Sequence, residues 1–286
     1  MTATLEPADR SPVVPSEAAH GHAAPGTARV AHPVRSVQLV LTRGFELRVD
    51  GRFVELPHST ERLLAFLALV ARPVLRGYVA GSLWLDRSEE RALANLRSAL
   101  WRLRGAGADV VLTAGDRLAL APEVDVDVRD LTAWARTIER APAIDLARLD
   151  ALLAAHELLT DWYDDWTVAE RERFRNLRLH ALETCCRCLA ASGEHARAIE
   201  AGLAAVAEES LRESAQRALV AAYLAEGNVG EALRQYASFR DLIGRELDLA
   251  PSPRMEAIVA PYRRATRGAI GRSSGSSRER TPQPLA

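Results

Sequence analysis

The sequence predicts a mostly α protein in two parts, a short α+β module over residues 36–122 and an all-α module over 123–266. Three observations carry this. Alternation of apolar and polar residues with period two is confined to the first module, whereas nearly everything after Val128 follows the helical period. The charge also changes sign: residues 36–122 hold twelve Arg against nine acids, and 123–266 hold eighteen Arg against twenty-five. A basic module before an acidic one suits an anionic partner for the first and protein partners for the second.

Taken in order, residues 1–35 are rich in Ala, Pro, Ser and His and read as a disordered segment with no secretory or transit signal. Val37-Gln38-Leu39-Val40-Leu41 and Phe45-Glu46-Leu47-Arg48-Val49 alternate as short strands, and Asp50-Gly51 supplies a hairpin turn. Ser59-Thr60-Glu61 can cap a first helix carrying Leu63, Leu64, Phe66, Leu67 and Val70, which Pro73 ends. A second helix spans Arg76 to Leu85. Asp86-Arg87-Ser88 leads into a third, Glu89 to Arg104, closed by Gly105 and Gly107. Val110 to Thr113 and Arg117 to Leu120 then flank Ala114-Gly115-Asp116 as a second hairpin.

The later segments, Thr167 to Ser192, Glu194 to Glu208, Leu211 to Glu226 and Val229 to Glu246, are helices joined by short turns. Two turns repeat. Leu189-Ala190-Ala191-Ser192-Gly193 with Ala198-Ile199 aligns with Leu224-Ala225-Glu226-Gly227 with Ala232-Leu233, and the two glycines lie 34 positions apart. That is the tetratricopeptide period, with small residues at helix crossings and Gly at tight turns. Residues 267–286 have no period and read as a disordered tail.

Composition excludes several classes of function. All 37 cations are Arg, so lysine-dependent P-loop, Schiff-base and pyridoxal phosphate chemistry have no residue to perform them. With 48% apolar and 26% charged residues, and no apolar run near the ~18 residues of a membrane span, the chain reads as soluble, with the cytoplasm and nucleoid as its place. Cys185, Cys186 and Cys188 share one helix. Cys185 and Cys188, even with His180 or His195, lack the second ligand pair of a structural zinc site, so small buried thiols are the better reading and no metal is expected. Asp161, Asp164 and Asp165 beside Trp162, Tyr163 and Trp166 read as a loop entering a long helix, with packing aromatics and acids at its positive end. No catalytic dyad, nucleophile motif or dinucleotide loop is present, so neither an enzyme nor a cofactor is expected.

Strands, three helices and a terminal hairpin in this order form the winged-helix arrangement, whose third helix enters the major groove while the hairpin reaches the backbone. At about 100° per residue, Leu93, Leu96, Leu100 and Leu103 fall on one arc, assigned to the core. The opposite face then presents Arg91, Asn95, Ser98 and Arg102 as base readers, since Arg pairs with guanine and Asn with adenine. Arg87, Ser88, Arg97, Arg104, Thr113 and Arg117 are expected to hold the DNA backbone. Trp101 also lies on that face, and packing against the wing or the first helix is the favoured role for it.

These residues resemble the Streptomyces antibiotic regulatory protein family. The matching stretches are Arg91-Ala92-Leu93-Ala94-Asn95-Leu96-Arg97-Ser98-Ala99-Leu100-Trp101-Arg102-Leu103-Arg104, Asp125-Val126-Asp127-Val128, Asp161-Trp162-Tyr163-Asp164-Asp165-Trp166 with Glu170-Arg171-Glu172-Arg173, and Glu246-Leu247-Asp248-Leu249-Ala250-Pro251-Ser252-Pro253. The resemblance runs from about residue 37 to 264. It implies a winged helix of the response-regulator output type followed by a tetratricopeptide-like bacterial transcriptional activator domain. It also implies a transcriptional activator, usually of a secondary-metabolite or antibiotic gene cluster, whose adjacent protomers bind direct repeats near promoters and recruit RNA polymerase with its sigma factor. Asp248 departs from the Gly such families often carry in a Glu-Leu-Gly turn, and no nucleotide-binding module follows residue 264, which suggests a small stand-alone member. The alternative from the residues alone is an interaction adaptor, with a partner segment in the helical groove and no DNA reading.

Overall fold

The computed structural model describes residues 36–106, 110–140 and 143–273. The segment 1–35, read as disordered, lies outside the described residues, as does the tail beyond Ser273. The last helix runs to Ser273, past the boundary expected at 266.

The chain begins with β1 (Val37–Val40), β2 (Glu46–Val49) and β3 (Arg52–Phe53). β1 and β2 pair antiparallel with Val37 opposite Val49 and Leu39 opposite Leu47, so Leu39 and Leu47 drop onto the same buried face. Asp50 and Gly51 both take positive φ, 50° and 77°, the conformation of a two-residue hairpin turn. Then come α1 (His58–Val70), β4 (Val74–Leu75), α2 (Arg76–Leu83) and α3 (Glu89–Gly105). α1 starts two residues earlier than a cap at Ser59 implies: Pro57 holds the cap position without a side-chain bond, which leaves Ser59 inside the first turn. α1 closes on Ala71, in the left-handed region at φ 52°, two residues before Pro73.

β5 (Val111–Ala114) and β6 (Arg117–Leu120) form the second hairpin around Gly115, at φ 59°, and β6 pairs on its other edge with β4. β7 (Val124–Val126) returns to the first sheet, parallel to β1, giving the order β3-β2-β1-β7. Asp125-Val126 therefore lies in the same sheet as β1, and α4 (Asp127–Ala135) leaves directly from it. The Asp127 carboxylate accepts hydrogen bonds from the backbone N–H of Leu41 and Thr42 and from the Thr42 hydroxyl.

A short 3-10 turn (Ile138–Arg140) and α5 (Leu146–Ala154) precede the long α6 (Asp165–Ser192). α7 (His195–Glu208), α8 (Glu213–Glu226), α9 (Val229–Leu247) and α10 (Pro253–Ser273) complete the array. The two glycines 34 positions apart do the same job: Gly193 and Gly227 cap α6 and α8 at φ 87° and 89°. In each case the next residue's N–H reaches back to a carbonyl of the last turn, Glu194 to Leu189 and Asn228 to Tyr223. Asp248, where a Gly was expected, also takes the left-handed conformation, at φ 53° and ψ 38°, so the helix ends there as a Gly would end it.

One apolar core runs without a break from Val37 in β1 to Ala222 in α8, and a smaller one around Tyr236, Phe239 and Met255 holds α9 and α10. The Asp161 to Trp166 segment is the joint. Trp162 stacks on Phe45 and meets His58 edge-on, Trp166 meets Phe66 edge-on, and Asp164 pairs with Arg62 of α1. Tyr163 alone of these aromatics faces outward.

Candidate nucleic-acid interface

α3 is held by α1 and α2, and its register fixes which side chains face out. The buried positions are Ala92, Leu96, Ala99 and Leu103. Leu93 and Leu100, assigned to the core from the sequence, are only half-buried at its edge. The helix is therefore rotated by about 50°, at 100° per residue, from the orientation the leucines suggest. Alanine allows the closer approach of α1 and α2, and the larger leucines close the margin.

This rotation redistributes the expected site. Arg91, Asn95, Ser98 and Arg102 form one stripe, at spacings of four, three and four, along one flank. Arg91, Ser98 and Arg102 are exposed and Asn95 is half-buried. The Ser98 hydroxyl donates to the Ala94 carbonyl at 3.1 Å, which leaves its oxygen as an acceptor. Arg102 donates to the Ser59 hydroxyl oxygen of α1 at 3.4 Å. Arg97 and Arg104 are exposed on the other flank.

On the crown between the flanks stands Trp101, 75% exposed, which corrects the packing role expected for it. Neither the hairpin nor α1 covers it, and no ring contact among the described residues involves it. The azimuth of α3 follows its alanines, and Trp101 lies opposite them.

The remaining expected contacts surround α3. Arg87 and Ser88 are exposed in the turn before it; Ser88 occupies the cap position, yet its side chain makes no capping bond. Thr113 and Arg117 are exposed on the hairpin, and the Arg117 guanidinium donates to the Pro73 carbonyl at 3.4 Å. Sequence reasoning passed over Arg72 and Arg76. The hairpin places them nearby, because the Arg76 N–H donates to the Asp116 carbonyl at 2.9 Å.

The electrostatic state of these cations differs from that of most arginines in the helical array. Arg87, Arg91, Arg97 and Arg104 make no ion pair or side-chain hydrogen bond with any described residue, and Arg102 and Arg117 bond only to neutral oxygens. In the helical array the guanidiniums are spent on carboxylates: Arg148 on Asp130, Arg175 on Glu209, Arg178 on Glu208, Arg212 on Glu183, Arg217 on Glu213. Burial pushes the Arg178 guanidinium down and the nearby Glu208 charge opposes that shift. Among the described residues from 129 to 263, only Arg129, which bonds to backbone carbonyls, and Arg136, Arg140, Arg245 and Arg254 lack such a partner. The face of α3 thus carries unneutralised, planar, five-donor groups, the chemistry that pairs with phosphate and with guanine edges.

The other constellations resolve as structural. Cys185 and Cys186 are fully buried, and burial pushes both thiols up to about 12. No cluster of three or more metal-ligating side chains occurs among the described residues. None of their helices is long and apolar enough to cross a membrane.

Residues 133–260 match the bacterial transcriptional activator domain. Two proteins called regulatory protein AfsR, from Streptomyces griseus and Streptomyces coelicolor, are 28% identical over 232 and 212 residues, which cover 78% and 71% of this chain. The chain spans only 23% and 21% of the length of those relatives. Mycobacterium tuberculosis EmbR, solved in complex with a low affinity phosphopeptide, has a similar fold, with a TM-score of 0.62 at 22% identity over 84% of this chain and 70% of that one. On these matches, the helical array of the chain resembles the bacterial transcriptional activator domain, and most of the chain is similar to part of the AfsR regulatory proteins.

Proposed function

We propose that the chain is a sequence-specific DNA-binding transcriptional activator. Residues 36–122 act as a winged helix of the response-regulator output type, with α3 in the major groove and the β5–β6 hairpin on the adjoining backbone. Arg91, Asn95, Ser98 and Arg102 read bases, while Arg87, Ser88, Arg97, Arg104, Thr113 and Arg117 hold phosphates. The tetratricopeptide-like helices of 123–266 pair protomers on direct repeats near promoters and help recruit RNA polymerase with its sigma factor. The regulated genes are those of a secondary-metabolite cluster.

The observation that carries this reading is the contrast in pairing. A solvated arginine face with no binding role would be expected to find carboxylates, as the array's arginines do. α3 instead has no acid between Arg91 and Ala106. The test is selection of bound fragments of genomic DNA by the purified protein at two salt concentrations, beside an Arg91→Ala/Arg102→Ala variant. Wild type should enrich a repeated motif near promoters and the variant should not. Absence of any enrichment by the wild type would overturn the reading and leave the helical groove as the binding surface.

A further inference from the structure

We infer that Trp101 is a base-reading residue that packs its indole against the methyl group of a thymine in the major groove. The inference rests on the groove-binding reading of α3 and adds to it an apolar specificity element. Three features support it.

The first is exposure. An indole 75% open to water, with no aromatic neighbour, leaves a large apolar surface unburied on an otherwise polar face. The second is position. Trp101 lies opposite the buried arc of Ala92, Leu96, Ala99 and Leu103, so it points away from the core. Ala94, beside it on the crown, and Ser98, on the adjoining flank, are small and let the helix backbone sink toward base edges, with the indole reaching ahead of it.

The third is the electrostatic frame. Arg97, Arg102 and Arg104 flank the indole, and none has a carboxylate partner among the described residues. A surface this cationic with one large apolar group suits a polyanion that itself displays an isolated apolar group. In the major groove that group is the C5 methyl of thymine. An indole lying on a phosphate through its N–H would be indifferent to the base, and the methyl contact would not.

The experiment uses the operator recovered by genomic selection, with each thymine replaced in turn by uracil, which removes the methyl and keeps the base pairing. At least one replacement should weaken the wild type about four-fold, the loss of one buried carbon. Trp101→Ala should bind the thymine operator at least about ten-fold more weakly and be blind to that replacement, with Trp101→Phe in between. Unchanged thermal unfolding of the variants would show that the loss is not a loss of fold. A wild type indifferent to every uracil, with Arg91→Ala/Arg102→Ala still abolishing enrichment, overturns the thymine contact and leaves DNA reading intact. Loss of self-association or of polymerase binding in Trp101→Ala, without any uracil effect, assigns the indole to a protein surface instead. No operator at all overturns both readings together.

Discussion

Asp127 is the position at which a single substitution should separate the two halves of the fold. Its carboxylate accepts from the Leu41 N–H at 3.0 and 3.1 Å, the Thr42 N–H at 3.0 Å and the Thr42 hydroxyl at 2.7 Å, tying the end of β1 to the start of α4. Leu41 is 0% and Thr42 4% exposed, so water has little access to replace a lost acceptor. In Asp127→Ala, three backbone donors, of Leu41, Thr42 and Val128, and one hydroxyl lose their partner. At about 1 to 3 kcal/mol for each buried donor left unsatisfied, and allowing for partial relaxation, the loss should be about 3 to 5 kcal/mol. That is a large share of the ~5 to 15 kcal/mol stability of an ordinary domain. Thr42→Val removes only the hydroxyl bond and should cost about 1 to 2 kcal/mol. Urea unfolding followed by far-ultraviolet circular dichroism measures both. A loss below about 1 kcal/mol for Asp127→Ala, or equal losses for the two variants, would refute the view that this carboxylate is the joint.

Three further outcomes follow from the structure. A Cβ on Gly202 would lie 3.0 Å from both Cys186 Sγ and Leu219 Cδ1. Gly202→Ala should therefore lower stability by a net ~1 to 2 kcal/mol despite the better helix propensity of Ala, and Cys186→Ala in the same chain should restore part of it, read by the same unfolding curves. Burial holds the Cys185 and Cys186 thiols at about 12, against 9.0 unperturbed, so these groups stabilise the fold fully below pH 9 and lose that contribution as the pH rises toward 12. Wild type should then lose more unfolding free energy between pH 8 and about pH 10.5 than Cys185→Ala/Cys186→Ala does, and iodoacetamide at pH 8 should label half-buried Cys188 first. On DNA, Arg102→Ala should cost about 1 to 3 kcal/mol on the preferred operator alone. Arg117→Ala should weaken all sequences alike and lower the salt slope by about one in fluorescence-anisotropy titrations; equal, sequence-independent losses would refute the division of roles.

What could be read from the sequence was local. The Asp50-Gly51 turn, the 34-residue spacing of Gly193 and Gly227 and the helices of the array are each set by residues within a few positions of one another, and the structure has them there. Long-range pairing was not legible. β7 is three residues long and gains its place only by lying parallel to β1, more than eighty residues earlier. The azimuth of α3 was misjudged because leucine outweighs alanine in any periodicity, whereas close packing selected Ala92 and Ala99 for the core. Trp101, placed on the outer face but expected to pack against the hairpin or α1, is instead 75% exposed. The type of the site residues could be read in advance, but their pairing state could not, since it depends on which carboxylates the fold brings near each guanidinium.

The joint between the modules bears on how the proposed reading of DNA by α3 would couple to the helical array. α1 touches both sides: Arg102 of α3 bonds to its Ser59, while its Phe66 and Arg62 are held by Trp166 and Asp164 at the start of α6. On the same side, the N–H groups of His156 and Leu159 donate to the Thr42 and Leu41 carbonyls, and the Arg129 guanidinium caps the last carbonyls of α1 at Leu67 and Ala68. A contact network of this kind, continuous with one apolar core, is not a flexible tether. The array therefore sets the direction in which α3 points. On the proposed reading, a partner seated on α6 to α8 would present α3 to the groove at a fixed angle, so that protein contacts in the array and base contacts at α3 would constrain one another.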